Sequence, residues 1–347
     1  MWHTSLTSLP PTVDLHEDVS AHYLHHGGDS PLGDFGEDVA GRTADIPKYG
    51  RANVRVVFAA MFLCTESFSP EESSVLEKLY GRWLPAMKYR APQALLLEHF
   101  SIYHRMAEVY GVKIVEKLSD VEGCLRGEGL CFLLHLEGAE PIDDPYDLVL
   151  LKKLGLRSLG LTWNYQNKYG CGCAVRKDLG LTGEGEELVR TANKLGIVVD
   201  LAHASGRTSL DVLTVSRKPV IVSHANVRRL VDKSRNVGDV VLEALHRNGG
   251  VIGISAIGPL TSAKPKATLD DVVEHFTYVR ETYGVHMLAV GTDFLGLFGL
   301  PAPEGFESID KLPALYARLV ERGFSEGDVK KIAHENILRV LKAVFEG

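Results

Sequence analysis

The chain has 347 residues, 45% of them hydrophobic and 24% charged, with a formal net charge of −7. That is an ordinary soluble, globular composition with enough chain for a large core. The acidic balance and the lack of a long basic block argue against sequence-independent nucleic-acid binding, and no apolar run reaches the roughly 18 residues of a membrane span.

Eight short apolar runs recur along the chain, rich in β-branched residues and each followed by polar or Gly-rich sequence, as buried parallel strands are. The first is TVDLHED (12–18) and the second VRVVFAAMF (54–62). The stretch 63–129 contains more than one helical pattern, including APQALLLEHFSIYHRMAEVYG (91–111), and reads as an elaborated second crossover. LCFLLHLEG (130–138) and LRSLGLTWN (156–164) follow. TGEGEELVRTANKLG (182–196) is a helix with Thr182 as N-cap and Gly196 just past its end. Next come the runs IVVDLAHAS (197–205) and PVIVSHAN (219–226), a helical GDVVLEALHRNGG (238–250) and the run VIGISAI (251–257). The helix TLDDVVEHFTYVRETYG (268–284) opens on a Thr268/Asp271 capping pair. The run MLAVGTDF (287–294) precedes a closing helix, SEGDVKKIAHENILRVLKAVF (325–345), which opens on Ser325 and Asp328.

Strand and helix alternating about eight times predict parallel strands with helical crossovers. The expected fold is α/β, a closed (β/α)8 TIM-like barrel forming a single domain over 1–347. An open doubly wound sheet is the alternative, weakened by the lack of G-x-G-x-x-G after the first strand. The amino terminus has no basic segment followed by an apolar stretch, so it does not read as a signal peptide. The five cysteines, Cys64, Cys124, Cys131, Cys171 and Cys173, are few and odd in number. They argue for a reducing compartment rather than a disulfide framework, and a cytoplasmic location is expected. Cys171 and Cys173 form C-G-C, but without a second C-x-x-C a zinc site on this pair is the lesser reading.

Barrel chemistry sits at the C-terminal ends of the strands. Ligand-type residues recur there. His16 and Asp18 lie two apart, so on one strand they share a face. Glu137, His203, His224 and Asp293 end four other runs. Each alone has a plainer reading, as a hydrogen-bonded histidine or a capping carboxylate. Together His16, Asp18, Glu137, His203 and His224 offer three imidazoles and two carboxylates, a set suited to zinc or a similar borderline metal. Five ligands exceed what one catalytic zinc needs, so two ions sharing a carboxylate are expected. His135 and Asp14 sit one layer deeper and are expected to be buried. His22, His25 and His26 are expected in a solvated loop.

The ordered set VDLHEDV, LHLEGAE, VVDLAHAS, PVIVSHANVRRLVDKSRN, VGTDFLG and HENILRVL resembles the membrane (renal) dipeptidase family, peptidase family M19, a group of amidohydrolase-related metallopeptidases. The resemblance runs from about residue 13 to 343. It implies two zinc ions, with His16 and Asp18 on the first, Glu137 bridging, and His203 and His224 on the second. It implies that Asp293 handles protons at the metal-bound water and that Arg235, eleven residues after His224, holds the substrate's terminal carboxylate. In LTWNYQNKYG the chain departs from well-studied dipeptidases, which carry His before Asn; here that position is Trp163. Indole offers only a donor on a bulkier ring, so substrate preference is open at this point. Trp163 and Asn164 are expected to contact substrate. The expected activity is zinc-dependent hydrolysis of a dipeptide with a free C-terminal carboxylate, a D-residue at that end being one option, by a metal-bridging hydroxide. A related hydrolase of another amide, a lactam or a lactone, and a non-catalytic metal-containing binding protein, are the alternatives. The family is often dimeric, which makes a homodimer the expected assembly.

Overall fold

The computed structural model describes residues 8–25, 34–63 and 92–346. Its strands are β1 (Thr12–Glu17), β2 (Val54–Phe62), β3 (Lys113–Ile114), β4 (Cys131–Glu137), β5 (Leu156–Gly160), β6 (Val198–Asp200), β7 (Ile221–Ala225), β8 (Val251–Ile254) and β9 (Leu288–Val290). Between and after them lie α1 (Val19–His25), α2 (Ile46–Ala52), α3 (Pro92–Tyr110), α4 (Leu118–Leu125), α5 (Asp147–Lys153), α6 (Gly183–Leu195) and α7 (Gly206–Val215). The second half adds α8 (Asp239–Asn248), α9 (Gly258–Thr261), α10 (Leu269–Tyr283), α11 (Leu312–Glu321), α12 (Glu326–Lys330) and α13 (Asn336–Phe345).

Each of the eight expected runs contributes one barrel strand, and every pairing between them is parallel. The order β2-β1-β9-β8-β7-β6-β5-β4, with β2 also paired to β4, closes the sheet on itself. β3 is an addition of two residues beside the start of β4. Closure removes the sheet edges and leaves side chains alternating between barrel interior and helix layer. The register Phe58↔Leu133, Ala60↔His135 and Phe62↔Glu137 stacks β2 and β4 in common layers, with Glu137 uppermost.

Local chemistry explains the helix ends. Thr182 accepts from the Gly185 amide at 3.0 Å, and Gly196 stops α6 at φ 66°. Reciprocal capping pairs open α10 (Thr268/Asp271) and α12 (Ser325/Asp328). The closing helix departs from expectation: a π-helical turn at Lys331–Glu335 separates α12 from α13. Polar side chains dock this segment on the barrel. His334 Nδ1 donates to the Pro11 carbonyl at 2.7 Å, and Asn336 Nδ2 donates to the Val285 and Leu288 carbonyls at 2.8 Å each. A widened turn is the usual way to re-aim such side chains within a helix.

Two other expectations change, at the segment after β1 and at the cysteines. The segment after β1 is helix α1, carrying His22, rather than a loop; His26 lies outside the described residues. Of the crossover over 63–129, α3, β3 and α4 are described, and 64–91, with Cys64, lie outside. Cys124 and Cys131 form a disulfide across the short turn from α4 to β4, with Cα atoms 6.2 Å apart. Nothing in the apolar run around Cys131 announces it, because the partners meet only once the Gly-rich turn at 127–129 folds back.

Candidate metal centre

The strand ends bring His16, Asp18, Glu137, His203, His224 and Asp293 into one cluster. His16 ends the inward face of β1. Asp18 follows it, tied by its amide to the Phe294 carbonyl at 3.2 Å, while the Asp293 amide donates to the His16 carbonyl at 3.1 Å. The first and last barrel strands therefore fix one another's ligands. Beneath them, the Asp14 carboxylate accepts from the Thr292 hydroxyl at 2.6 Å and its amide at 2.9 Å. His203 and Asp293 both adopt φ 63°, in the left-handed region that non-glycine residues seldom occupy. Such strain persists where surrounding contacts impose it. Gly296 passes so close to the Asp18 and Asp293 carboxylates that a Cβ there would collide with both.

Glu137 is the centre of the geometry. Its Oε2 lies 3.7 Å from His16 Nε2. Its Oε1 lies 2.9 Å from His203 Nε2 and 3.4 Å from His224 Nε2. Each oxygen thus faces a different group of ligands. Asp18 approaches His16 Nε2 to 3.7 Å, and Asp293 stands between the groups, 3.9 Å from His16 Nε2 and 3.8 Å from His224 Nε2.

The donor set fits divalent cations on three counts. First, both ring nitrogens of fully buried His16 and the Oδ1 of Asp18 lack a hydrogen-bond partner among the described residues. Buried polar atoms are rarely left so. Second, His203 Nδ1 faces Asn164 Oδ1 at 2.8 Å, an acceptor, so that nitrogen carries the proton. His224 Nδ1 faces Ser223 Oγ at 2.8 Å, and that hydroxyl donates to Asp200 at 2.5 Å, so it accepts from His224. Both Nε2 atoms are then bare lone pairs, yet they lie 3.0 Å apart, a repulsive contact that a shared cation relieves. Third, the electrostatics call for positive charge. Burial opposes protonation of His16, but Glu137, Asp18 and Asp293 together outweigh it and push its pKa up to about 10. Burial, helped by Asp18, pushes Asp293 up to about 7 against His16 and Arg235. Burial likewise holds Glu137 well above the usual carboxylate range and His203 and His224 well below the usual imidazole range. Three imidazoles and three carboxylates around bridging oxygens suit zinc and neighbouring borderline ions.

The cluster opens into a cavity of about 320 Å³ whose wall includes Trp163, Ile257, Leu260, Phe298, Leu300 and Arg235. Arg235 donates from Nη2 to the His224 carbonyl at 2.8 Å, and its buried Nε has no hydrogen-bond partner among the described residues. Trp163 stacks on His203 (ring centroids 5.8 Å apart, planes at 30°) and packs against Phe62 at 5.0 Å. Asn164 lines the cavity, as expected for a substrate contact, but its carbonyl oxygen is already engaged by His203 and by the Cys173 thiol at 3.3 Å. Cys171 and Cys173 belong to none of the metal-competent groups among the described residues.

The ligands rest on a support that their own motifs do not announce. His135 is buried as expected, bonded to Ser158 at 2.9 Å, with its Nε2 3.4 Å from Asp200. Asp200 in turn holds Ser223. Asp200 and Ser223 stand three and one residues before His203 and His224, polar residues inside apolar runs, and that was the available signal.

The loop bearing Arg235 is pinned from outside. The Val227 amide donates to His275 Nδ1 at 3.0 Å, and His275 Nε2 donates to the Thr261 carbonyl at 2.9 Å. Burial depresses the His275 pKa to about 4. The unfolded chain takes up this proton first as pH falls, so the stability is present above pH 6.5 and lost on descent toward 4. Wild type should lose about 2 kcal/mol more than His275→Gln between pH 7.5 and 4.5 in chemical denaturation. Equal slopes would show that His275 does not titrate in this way. His99, depressed by burial to about 3, adds the same trend to both proteins and cancels in the comparison.

Fold and cluster together define a class: a (β/α)8 barrel with a metal-competent centre at the C-terminal rim. The family model described as Membrane dipeptidase (Peptidase family M19) matches residues 3–346, and the chain belongs to that family. Dipeptidase tcpJ of Claviceps purpurea is 34% identical over 254 residues, covering 71% of this chain and 59% of that protein. Dipeptidase 3 of Homo sapiens is 30% identical over 259 residues, covering 72% and 52%. The match thus spans little more than half the length of these relatives. A metallo peptidase from Rhodobacter sphaeroides, solved with a phosphinate mimic of the dipeptide L-Ala-D-Ala, shares the fold with a TM-score of 0.82 at 22% identity, covering 97% of this chain and 100% of that one. Among the described residues no helix is long and apolar enough to cross a membrane.

Proposed function

We propose that the protein is a metal-dependent dipeptidase whose centre takes two zinc ions. His16 and Asp18 would hold one, His203 and His224 the other, and Glu137 would bridge them. The observation that carries this reading is the division of Glu137, with one carboxylate oxygen toward His16 and the other toward the His203/His224 pair. When bound, such cations supply Lewis acidity that polarises a carbonyl and acidifies water at neutral pH. The chain's own residues do the rest. Arg235 presents a planar fork on the cavity wall suited to a free C-terminal carboxylate. Asp293, between the ligand groups, accepts a proton on its carboxylate and passes it to the departing amine. The apolar side chains of Trp163, Phe298 and Leu300 on the cavity wall would accommodate substrate side chains.

The test is a dipeptide library with zinc-reconstituted protein, both stereoisomers being present at the second residue. Arg235→Met is expected to raise KM for free dipeptides about 10- to 100-fold, the worth of a charge-assisted pair. Cleavage of the C-terminally amidated dipeptides should be unaffected. Unchanged KM for the free acids would remove the clamp. Trp163, which stacks on His203 at the cavity wall, favours a second reading as well, so lactones and β-lactams belong in the same panel. Turnover of those in preference to every dipeptide would replace the dipeptidase reading.

A further inference from the structure

We propose that Asn164 is a positioning residue for His203, and that the loop from β5 to α6 is a strap that keeps this imidazole open toward a cation. The inference rests on the metal reading of the cluster but concerns residues which that reading does not use as ligands.

His203 and His224 face the same Glu137 oxygen but are supported differently. His224 is braced by Ser223, its neighbour in β7, backed by Asp200. His203 lies beyond the end of β6, in a strained left-handed conformation, and has no comparable brace from its own strand. Its support comes from residues 30 to 40 positions earlier. Asn164 Oδ1 takes the Nδ1 proton at 2.8 Å, and the Trp163 ring stacks on the imidazole. The Cys173 amide donates to the His203 carbonyl at 2.7 Å, the Ser205 amide donates to the Cys171 carbonyl at 2.9 Å, and Gly172 bridges antiparallel to Ala204. The strap is also tied to itself. The Ala174 amide donates to the Asn164 carbonyl at 2.8 Å and the Gly172 amide to the Tyr165 carbonyl at 2.9 Å. A Cβ on Gly172 would strike the backbone of Trp163 and Asn164, so C-G-C is the close crossing of this strap, a role its sequence alone did not reveal.

The chemistry follows from the tautomer. An imidazole binds a cation through a bare nitrogen, and the hydrogen bond on the other nitrogen decides which one is bare. With Asn164 accepting at Nδ1, Nε2 points at Glu137 Oε1 unprotonated. Without that acceptor, the ring can carry its proton on Nε2 or turn, and either event withdraws a ligand.

The measurement is zinc stoichiometry and affinity under graded chelator competition, read by elemental analysis on folded full-length protein. Asn164→Leu should bind its more weakly held zinc about 10- to 100-fold less tightly than wild type, the other ion being little affected. Asn164→Asp, which keeps the acceptor, should restore retention. Equal retention by Asn164→Leu and wild type overturns the proposal, and so does equal loss in the Leu and Asp variants, which would indicate packing alone. Wild type that binds no zinc sinks the metal reading itself and this inference with it. A second measurement needs no substitution at Asn164. In zinc-loaded protein carrying 15N-histidine, the His203 ring, assigned by its loss in His203→Gln, should carry its proton on Nδ1. A proton on Nε2 overturns the role of Asn164 whatever the variants do.

Discussion

Asp293→Asn is expected, on the proposed dipeptidase reading, to lower kcat on any accepted dipeptide by about 10³- to 10⁴-fold while metal content stays at the wild-type level, a loss in the range of a general acid–base group. The two side chains have the same shape, so packing beside Gly296 and the tie from the Asp293 amide to His16 survive. What disappears is a carboxylate that can take a proton, held 3.9 Å from one histidine nitrogen and 3.8 Å from another. In the metal-free protein burial moves its pKa up to about 7, and cations bound beside it would lower that value and favour the ionised, proton-accepting form. Elemental analysis and steady-state kinetics on the same preparation decide the matter. Undiminished kcat with full metal content would exclude Asp293 from proton handling, whereas a parallel fall in metal content would make it a ligand instead.

Glu137→Gln should be more damaging, with turnover below detection and zinc content reduced to one ion or less. A carboxamide has a single oxygen, so it can face His16 or the His203/His224 pair, and its NH2 group turns a donor toward whichever side is left. The same substitution should act in the opposite direction on metal-free protein. Asp18, Glu137 and Asp293 are nearly fully buried together, and their mutual repulsion is part of what holds Glu137 above the ordinary carboxylate range. Removing one charge relieves it. The expected result is a higher Tm for metal-free Glu137→Gln than for metal-free wild type, with the order reversed when zinc is added, since only wild type gains the full stabilisation of binding. A variant that is less stable than wild type without zinc would show that Glu137 serves the fold rather than the ion.

Much of this centre was legible because its parts obey strand arithmetic. CFLLHLE places His135 directly beneath Glu137, as the register with β2 confirms, whereas the register of β1 shifts between Asp14 and Glu17 and Asp18 lies past the strand end, so alternation alone does not bring His16 and Asp18 together. Thr182, Thr268 and Ser325 announced their helices through capping chemistry that needs only neighbours in sequence. What escaped depends on chain folded back from elsewhere. The Asn164–His203 bond spans 39 residues, and the asparagine's type alone fits a substrate contact equally well. The π-helical turn before α13 likewise accompanies docking against the barrel, while the Cys124–Cys131 disulfide escaped because it depends on how the turn at 127–129 folds rather than on strand or helix periodicity.

The Asp14–Thr292 bond joins residues 278 positions apart, and beside it His16 and Asp293 hold each other's backbone. One half of the centre is therefore unfinished until the final barrel strand is in place. During synthesis, the ribosome must have released residue 293 from its tunnel before Asp18 and Asp293 can settle side by side. Glu137, His203 and His224 emerge earlier and form a three-ligand half-site of their own. On the two-ion proposal, the ligands of one position would thus be synthesised well before those of the other were complete.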